Sequence, residues 1–476
     1  MAPSVKNRYY RNVKPSSSFS ERLLSITERG LALVGISHLS RRYDPVSAIS
    51  QLCQVLLSSK GEASGIALSL EILSRYQNLS DEEKTEFFVS LYENFPADQG
   101  QAEVAARAYL ANPSQDSLWE LLTAAEPARQ ELFRRLNQTE EATKILVNMR
   151  ADFLSRLRSK PELRVVDRDF IDLFTAWFNR GFLELRRIDW NTPAALLEKI
   201  MIYEAVHGMS GWGDLRERID PPDRLIYGFF HPQLGDEPLI FVEVALMEEM
   251  PASIDSILAE DRKVVESESS KIAVFYSISN CQRGLRGIPL GNFLIKQVVK
   301  DLKKSFPSLK EYVTLSPIPS FARWFADASG EGGTILSAKT RAALAELSES
   351  DWWKNKETSR QLEQELLPAA AWFLCHGKKA DGRPIDPVAR FHLGNGARLE
   401  RINWSADTSD NGLRGAHGMM VNYRYRLDEI ERNHEGFANS GLVAASSSVT
   451  RLANAFDVET DKNAVESETG KVDSDA

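Results

Sequence analysis

Residues 282–292 form a glycine-rich, arginine-containing segment that could bind an anion. The glycines allow the backbone to turn sharply and expose successive N–H groups, and the predicted helix that follows offers the positive end of its dipole. Arg283 and Arg286 add positive charge, and a pyrophosphate has a suitable size for such a place. Taken alone, the segment could also be a turn that only caps the helix, because its spacing is neither the Rossmann fingerprint nor a Walker sequence.

Ser316 and His392 are of residue types that can transfer protons, but the sequence alone does not mark them for that role. Ser316 follows a predicted strand and precedes Pro317, whereas His392 stands in a segment that contains two glycines. A Ser–His pair often performs acyl transfer, but no Gly-x-Ser-x-Gly elbow surrounds this serine. Considered alone, the serine could simply end a strand, and the histidine could be a hydrogen-bonded interior side chain.

The sequence predicts no metal site. The histidines show no His-x-x-x-His pairing, and Cys375 and His376 are only an isolated pair of neighbours. Cysteines 53, 281 and 375 are odd in number and far apart. They are therefore interpreted as free thiols in a reducing compartment, and not as a disulfide framework.

Helices and strands must position these residues. The first half of the chain has helical patterns. Ser80 and Glu83 form a capping box, after which an apolar stripe has helical spacing: Phe87, Phe88, Leu91 and Tyr92. Further helical patterns cover residues 117–136, 140–157 and 193–208. We expect the helical region to end near residues 180–190.

After Pro221 the pattern changes to short runs of branched and aromatic residues. These runs predict strands over residues 225–230, 238–244, 271–279 and 312–315. An amphipathic helix over 292–306 separates the last two strands, which gives a strand–helix–strand unit. Helical patterning returns over 334–374, and residues 397–404 and 419–425 are strand-like.

These patterns predict a multidomain α+β protein. We expect an N-terminal all-α helical domain over residues 1–185, an α/β catalytic domain over 186–455 and a disordered acidic tail over 456–476. The tail is assigned because Asp, Glu, Ser, Thr and Lys dominate it and no aromatic residue follows Phe456.

The composition limits the partners and the compartment. The chain has 58 Lys and Arg against 67 Asp and Glu, and a net charge of −9 argues against nucleic acid as a partner. No apolar run is long enough to span a membrane. The first twenty residues are basic, which is typical of a frayed terminus or, alternatively, of a transit peptide. We therefore expect a bacterial cytoplasm, with the mitochondrial matrix as the alternative.

Four co-linear segments resemble the malonyl-CoA decarboxylase family over roughly residues 190–440. They are residues 231–246, residues 275–279 leading into the glycine-rich segment, residues 315–319, and residues 391–397 with 401–404 and 422–425. The resemblance implies a helical bundle followed by a GNAT-like catalytic domain, in which the strand–turn–helix segment holds the pyrophosphate of coenzyme A.

The resemblance also assigns the residues of the site. It implies that Ser316 is the catalytic serine, that His392 is the catalytic histidine and that Tyr425 is an active-site tyrosine. The acyl-CoA contacts carry over to Arg286, Gly287, Ile288, Pro289, Leu290, Gly291 and Asn292, next to Arg283 and Gly284 of the same glycine-rich segment. Some members have a glutamate where this chain has Pro289, so a carboxylate is absent there.

The activity implied by the resemblance is conversion of malonyl-CoA to acetyl-CoA and CO2 without metal or biotin. The thioester carbonyl is the electron sink, so the protein must align the carboxylate, stabilise the enolate and deliver a proton to carbon. Our hypothesis assigns His392 as the proton donor and Ser316 as its non-covalent partner near the carboxylate or the enolate. Strand residues 276–279 would polarise the thioester, and activity would follow the titration of a histidine.

Two alternatives remain open from the sequence. A GNAT-type acyltransferase would use the same segment to pass an acyl group to an amine, and a non-catalytic acyl-CoA sensor would need neither Ser316 nor His392. The resemblance further implies a homo-oligomer, a tetramer in which the helical domains are in contact. Whether the chain serves fatty acid metabolism or malonate metabolism is not determined by these residues.

Overall fold

The computed structural model describes residues 44–58, 61–288, 294–329, 347 and 351–456. Contacts divide the chain into two compact units. The first contains the chain up to Asn179 together with the segments 232–235 and 282–289. The second contains the segments 180–231 and 236–281 and the chain from Leu290 onwards.

The first unit is built from helices. In chain order these are α1 (Pro45–Ser58), α2 (Glu62–Gln77), α3 (Asp81–Asn94), α4 (Gln99–Ala111), α5 (Gln115–Ala125), α6 (Ala128–Leu136), α7 (Ala142–Leu154) and α8 (Arg164–Trp177). Phenylalanine side chains from several of these helices form its core: Phe88, Phe133, Phe153, Phe170 and Phe174.

Helix α3 begins at the predicted capping box. The Ser80 hydroxyl accepts from the backbone N–H of Glu83, and the Glu83 carboxylate accepts from the backbone N–H of Ser80. Phe87, Phe88 and Leu91 are buried as predicted, but Tyr92 is 38% exposed. Successive helical residues differ by about 100° in direction. Tyr92 therefore lies at the edge of the face that the other three define.

The single helix predicted over 117–136 is wrong, because two helices occupy this region. Helix α5 ends at Ala125 and α6 begins at Ala128. Pro127 has no backbone N–H, and it restricts Glu126 to the extended conformation seen there (φ −71°, ψ 127°). Helix α7 covers most of the helix that was predicted over 140–157.

The second unit contains a mixed sheet. Its strands are β1 (Glu184–Ile188), β2 (Arg224–Phe230), β3 (Pro238–Met247), β4 (Ile272–Asn280), β5 (Glu311–Thr314), β6 (Ser316–Pro317), β7 (Arg398–Asn403) and β8 (Met420–Tyr425). The first four are neighbours in an antiparallel arrangement, β5 follows β4, and β8 pairs with β5, β6 and β7. The six predicted strands are confirmed within a few residues at each end, whereas β1 and the two-residue β6 were not predicted.

Helices of the second unit connect these strands. They are α9 (Ala194–Tyr203), α10 (Trp212–Ile219), α11 (Asp255–Leu258), α12 (Leu294–Ser305), α13 (Phe321–Ser329), α14 (Lys356–His376), α15 (Pro387–Gly394), α16 (Asp410–Ala416), α17 (Ile430–Ser440) and α18 (Ser447–Ala455). Helix α9 ends at Tyr203, earlier than the predicted 208. Helix α14 covers the second part of the helical pattern over 334–374, whose residues 334–346 and 348–350 lie outside the described residues.

Strand β4, helix α12 and strand β5 form the predicted strand–helix–strand unit, since β4 and β5 are parallel. Their register ends where Phe275 pairs with Thr314, and β4 continues to Asn280 alongside β3. The two strands therefore part after Phe275. Within the continuing portion, the register with β3 shifts so that Tyr276 forms a β-bulge.

Strands β5 and β6 follow the same line along β8. Tyr312 pairs with Tyr425 and Ser316 pairs with Val421, with no change of register between them. Because side chains alternate between the faces of a strand, Thr314 and Ser316 lie on one face. The sheet thus places a threonine, a serine and the tyrosine at the end of β8 in neighbouring positions.

The predicted fold class is confirmed in its main features: a helical region is followed by an α+β sheet domain. Phe456, where we expected the acidic tail to begin, is buried and its ring lies 5.9 Å from that of Trp372. Residues 457–476 lie outside the described residues. Across the part of the chain that the structure describes, no helix combines the length and apolarity needed to cross a membrane.

Candidate active site

Ser316, His392 and Tyr425 form one hydrogen-bonded chain. The distance from Ser316 Oγ to His392 Nε2 is 3.1 Å, and His392 Nδ1 lies 2.8 Å from the Tyr425 hydroxyl. All three side chains are buried. The three residues come from β6, α15 and the end of β8, so the fold brings together side chains that are up to 109 positions apart in the sequence.

A threonine fixes the direction of this chain. Ser316 Oγ donates to Thr314 Oγ1 at 2.8 Å, and the same threonine oxygen accepts from the backbone N–H of Tyr423. Because the serine proton points to Thr314, the serine oxygen accepts from His392 Nε2–H. A neutral imidazole has a single N–H, so Nδ1 accepts from the Tyr425 hydroxyl. The hydrogen bonds therefore all point the same way: Tyr425 donates to His392, and His392 donates to Ser316.

The ring of His392 is held by packing. It stacks on the ring of Tyr423, with centroids 4.6 Å apart and planes inclined by 25°. Tyr425 is in turn neighboured by Phe275 of β4, with ring centroids 6.5 Å apart. The histidine thus has one defined orientation between its two hydrogen-bond partners.

Asp386 connects the segment of the serine to the helix of the histidine. Its Oδ1 accepts from the backbone N–H groups of Val388 and Ala389, which caps α15. Its Oδ2 accepts from the backbone N–H of Ser320, four residues after Ser316. One buried carboxyl group therefore holds both segments that carry the Ser–His pair.

Burial keeps the side chains of His392 and Tyr425 uncharged. Burial lowers the pKa of His392 to about 3, because the imidazolium would lose its hydration. Burial also raises the pKa of Tyr425 well above its usual value. His392 is therefore neutral at physiological pH, and the expected dependence of activity on a histidine titration does not follow for this residue.

The glycine-rich segment presents its arginines to solvent. Arg283, Arg286 and Gly287 are exposed, whereas Gly284 and Ile288 are buried. Gly287 has a φ of +82°, which favours glycine at this turn. The remaining predicted contacts, Pro289, Leu290, Gly291 and Asn292, lie outside the described residues.

Gly284 has a separate structural requirement. A Cβ atom at this position would lie 1.8 Å from the carbonyl oxygen of Val147 in α7. The buried guanidinium of Arg150, also in α7, donates to the carbonyl oxygens of Gly284 and Arg286. Helix α7 therefore fixes the backbone of this segment from one side.

Sequence reasoning missed Thr314, Asp386 and Arg150. Thr314 could have been found, because it stands two positions before Ser316 in the same strand line. Asp386 precedes Pro387, which is a recognisable N-cap followed by an N1 proline. Arg150 gives no signal in the sequence.

No group of three or more His, Cys, Asp or Glu side chains that could hold a metal ion occurs in the described ranges. The thiols of Cys53, Cys281 and Cys375 are free, and the first two are buried. The Ser–His–Tyr chain of hydrogen bonds is an arrangement that can deliver a proton to a group bound beside Ser316.

Two family profiles match the chain from residue 95 onwards. Residues 95–178 match the profile described as malonyl-CoA decarboxylase N-terminal domain, and residues 181–465 match the profile described as malonyl-CoA decarboxylase C-terminal domain. The two matches meet between the last helix of the first unit and the first strand of the second.

Curated relatives and solved structures agree with this assignment. The mitochondrial malonyl-CoA decarboxylase of Anser anser anser is 34% identical over 422 residues, which cover 82% of this chain and 83% of the relative. That of Mus musculus is 33% identical over 461 residues, which cover 90% and 92%. The structure is similar to that of malonyl-CoA decarboxylase from Rhodopseudomonas palustris, with a TM-score of 0.82, 49% identity and coverage of 85% and 99%. For the structure of malonyl-CoA decarboxylase from Agrobacterium vitis, the TM-score is 0.81 and the identity 50%, with the same coverage.

Proposed function

Because this chain belongs to the malonyl-CoA decarboxylase family, a family of carboxy-lyases, we propose that it converts malonyl-CoA to acetyl-CoA and CO2 without metal or biotin. The observation that carries the proposal is the buried chain of hydrogen bonds from Tyr425 through His392 to Ser316. The burial of these three side chains and the neutral state of His392 support proton delivery from an uncharged donor.

The reaction needs an electron sink, an aligned carboxylate and a proton. When the bond between the carboxylate and the α-carbon breaks, CO2 leaves and the electron pair passes into the thioester carbonyl as an enolate. The enolate then takes one proton on carbon, which balances the reaction. Alignment of the breaking bond with the carbonyl and hydrogen bonds to the developing oxyanion lower the barrier.

We assign delivery of the proton to the enolate carbon to His392. Its Nε2–H points at Ser316 Oγ, where the carboxylate or the enolate would bind. As Nε2 loses this proton, the Tyr425 hydroxyl can donate one to Nδ1, so that the imidazole stays neutral. A thioester enolate is a stronger base than a phenolate, so transfer along this chain is favourable in the direction of carbon. Between turnovers a proton from solvent returns to Nε2 of His392 through the emptied substrate site, and Nδ1 gives its proton back to Tyr425. The serine acts as a hydrogen-bond partner and forms no covalent bond.

The test compares two histidines that receive the same substitution, the buried His392 and the half-buried His417. His392→Asn removes the proton donor, whereas His417→Asn alters a histidine outside the hydrogen-bonded chain, at a position with φ +50° that asparagine tolerates. Purified proteins are mixed with malonyl-CoA without added metal or biotin, and acetyl-CoA is followed by chromatography. We expect His392→Asn to lose roughly 10²–10⁴-fold in kcat and His417→Asn to stay within about threefold of the parent.

Two results would contradict the proposal. A folded parent that binds malonyl-CoA but releases no acetyl-CoA would favour an acyl-CoA sensor, or an acyltransferase that acts once an amine acceptor is added. Equal activities of the two asparagine variants would leave the proposed reaction standing but contradict the role of His392 as its proton donor.

We also propose that the chain forms a homo-oligomer through the helical hairpin α4–α5. These two helices have no buried residue, and they expose four large apolar side chains by 59–77%: Val104, Leu110, Trp119 and Leu122. Such a patch on a hairpin that buries nothing within its own unit is typical of an interface. The family resemblance suggests a tetramer.

Sedimentation velocity tests this interface. Trp119→Lys should lower the sedimenting mass by at least one association step, whereas Ile202→Lys, at an equally exposed position in the second unit, should not. An unchanged mass of the Trp119 variant would contradict an interface on this hairpin.

For the compartment, we propose a reducing bacterial cytoplasm. The three cysteines are free in the structure. Identity is 49–50% to two bacterial decarboxylases, compared with 33–34% to the mitochondrial relatives and 33% to the decarboxylase of Cupriavidus metallidurans. Detection of the chain in the soluble fraction of its source cells, and its absence from an organelle or envelope fraction, is the corresponding measurement.

A further inference from the structure

Arg150 of helix α7 reaches the backbone of the glycine-rich segment. Its Nε donates to Asp167 Oδ1 at 2.8 Å, and its Nη1 donates to the carbonyl oxygens of Gly284 at 2.6 Å and Arg286 at 2.9 Å. The side chain of Arg150 is only 2% exposed. A charged side chain this deeply buried is retained only when its donors are satisfied, and here its partners are one carboxylate and two peptide carbonyls.

These bonds determine which side of the segment shows its N–H groups. In a trans peptide the C=O and the N–H point in opposite directions. Because Arg150 captures the carbonyl of Arg286, the N–H of Gly287 points away from helix α7. The positive φ and the exposure of Gly287 leave that N–H on the open side of the turn.

Anion binding depends on this orientation. A pyrophosphate is attracted by N–H groups and repelled by carbonyl oxygens, so a peptide that flips exchanges attraction for repulsion. Two carbonyls held by one guanidinium cannot flip without breaking a charge-assisted hydrogen bond. The close approach of Gly284 to the Val147 carbonyl limits the segment further.

We propose that Arg150 is a positioning residue for the pyrophosphate of the acyl-CoA substrate: it does not touch the ligand, but it sets the peptide orientation that binds it. This inference rests on the proposed function insofar as the ligand is a coenzyme A thioester. It adds that the helical unit takes part in substrate affinity through a side chain distant from residues 282–288 in the sequence.

The test uses two substrates that differ in the 3′-phospho-ADP part of coenzyme A, which includes the pyrophosphate. Malonyl-CoA contains it, and malonyl-pantetheine does not. For Arg150→Met we expect KM for malonyl-CoA to rise about tenfold with kcat within about twofold, the size expected for a lost charge-assisted hydrogen bond. The value of kcat/KM for malonyl-pantetheine should equal that of the parent. Arg150→Lys, which keeps the charge next to Asp167 and loses the guanidinium fork, should raise KM for malonyl-CoA several-fold.

The chain offers a matched control in Arg129. This arginine forms an equally buried ion pair with Asp169 in the same helical unit, and its further acceptor is the carbonyl of Phe95. Arg129→Met therefore removes a comparable interaction from the helices without touching residues 282–288. We expect it to leave both substrates unaffected, within about twofold, in protein that remains folded.

Removal of the guanidinium leaves the half-buried Asp167 without its ion-pair partner, which can destabilise the fold. The double variant Arg150→Met/Asp167→Asn removes this charge, and Arg150→Lys keeps the pair, so the comparison stands if the single methionine variant is unstable. A loss of the same factor with both substrates, or an unchanged KM for malonyl-CoA, would overturn the proposal. Calorimetric binding of coenzyme A and of pantetheine gives the same comparison without turnover. A failure of decarboxylation is therefore distinguishable from a failure of the role of Arg150.

Discussion

The Ser316–His392–Tyr425 chain of hydrogen bonds, to which we assign proton transfer, and the glycine-rich segment differ in burial and in charge. We call the first the proton-transfer chain. Ser316, His392 and Tyr425 are buried and carry no charge at neutral pH, because desolvation keeps the imidazole neutral and the phenol protonated. Residues 283–287 instead present two exposed arginines and a glycine N–H. One region is suited to moving a proton and the other to holding an anion.

The two regions also differ in what holds them. Side chains hold the proton-transfer chain, since Thr314 fixes the serine and the Tyr423 ring fixes the imidazole. In the segment 282–288 the backbone itself is held, by Arg150 and by the close contact at Gly284. We therefore expect substitutions in the first region to lower kcat and those in the second to raise KM.

Removal of the Ser316 hydroxyl should give the largest effect in this comparison. Ser316→Ala deletes the group that links Nε2 of His392 to the reacting centre, so we expect kcat to fall roughly 10²-fold with KM for malonyl-CoA within about threefold. Ser320→Ala is the matched control, because only the backbone N–H of Ser320 contacts Asp386. Steady-state kinetics with malonyl-CoA measure both variants, and near-normal turnover of Ser316→Ala would remove the serine from the mechanism.

Loss of the Asp386 carboxyl group should have a smaller effect of the same kind. Asp386→Ala leaves the cap of α15 and the N–H of Ser320 without an acceptor, so the distance from Ser316 to His392 is no longer fixed. We expect kcat to fall about tenfold at unchanged KM, and stability to fall by about 1 kcal/mol, the usual value of an N-cap. Asp386→Asn keeps an oxygen for the cap and should recover part of kcat.

The control for this prediction is a second aspartate N-cap. Asp98 caps α4 in the helical unit, where its carboxylate accepts from Gln101. Asp98→Ala should cost similar stability, measured by denaturant unfolding, and leave kcat unchanged. If Asp98→Ala lowers kcat as much as Asp386→Ala does, the effect of Asp386 is general destabilisation and its positioning role is wrong.

The strands around the site were predictable because their signals are local. Residues 238–244 and 271–279 are apolar runs bounded by proline, glycine or charge, and the observed strands differ from them by a few residues. Strand β1 was missed because it is a short edge strand with the charged sequence Glu-Leu-Arg-Arg-Ile and an exposed pattern. A strand that is defined by pairing with β2 has little signal of its own.

The sequence pointed to the three candidate residues but not to the contacts that hold them. Ser316, His392 and Tyr425 stand in motifs that resemble a family, whereas their distances depend on the register of β8 against β5 and β6. Arg150 lies 134 and 136 positions from the residues whose carbonyls it binds. No periodicity or spacing in a single sequence can report such a contact, because it follows from tertiary packing alone.

The smallest expected effect is the response of the proton-transfer chain to pH. Burial lowers the pKa of His392 to about 3, so the imidazole stays neutral above about pH 4 and its Nε2–H is present throughout the neutral range. With malonyl-pantetheine, which lacks the phosphates of coenzyme A, kcat/KM should change by less than about twofold between pH 6.5 and pH 8. A requirement for the imidazolium would instead lower kcat/KM by about tenfold for each pH unit in this range. Such a decline would mean that the donor must be charged, and it would remove the contrast between a neutral proton-transfer chain and a charged anion-binding segment.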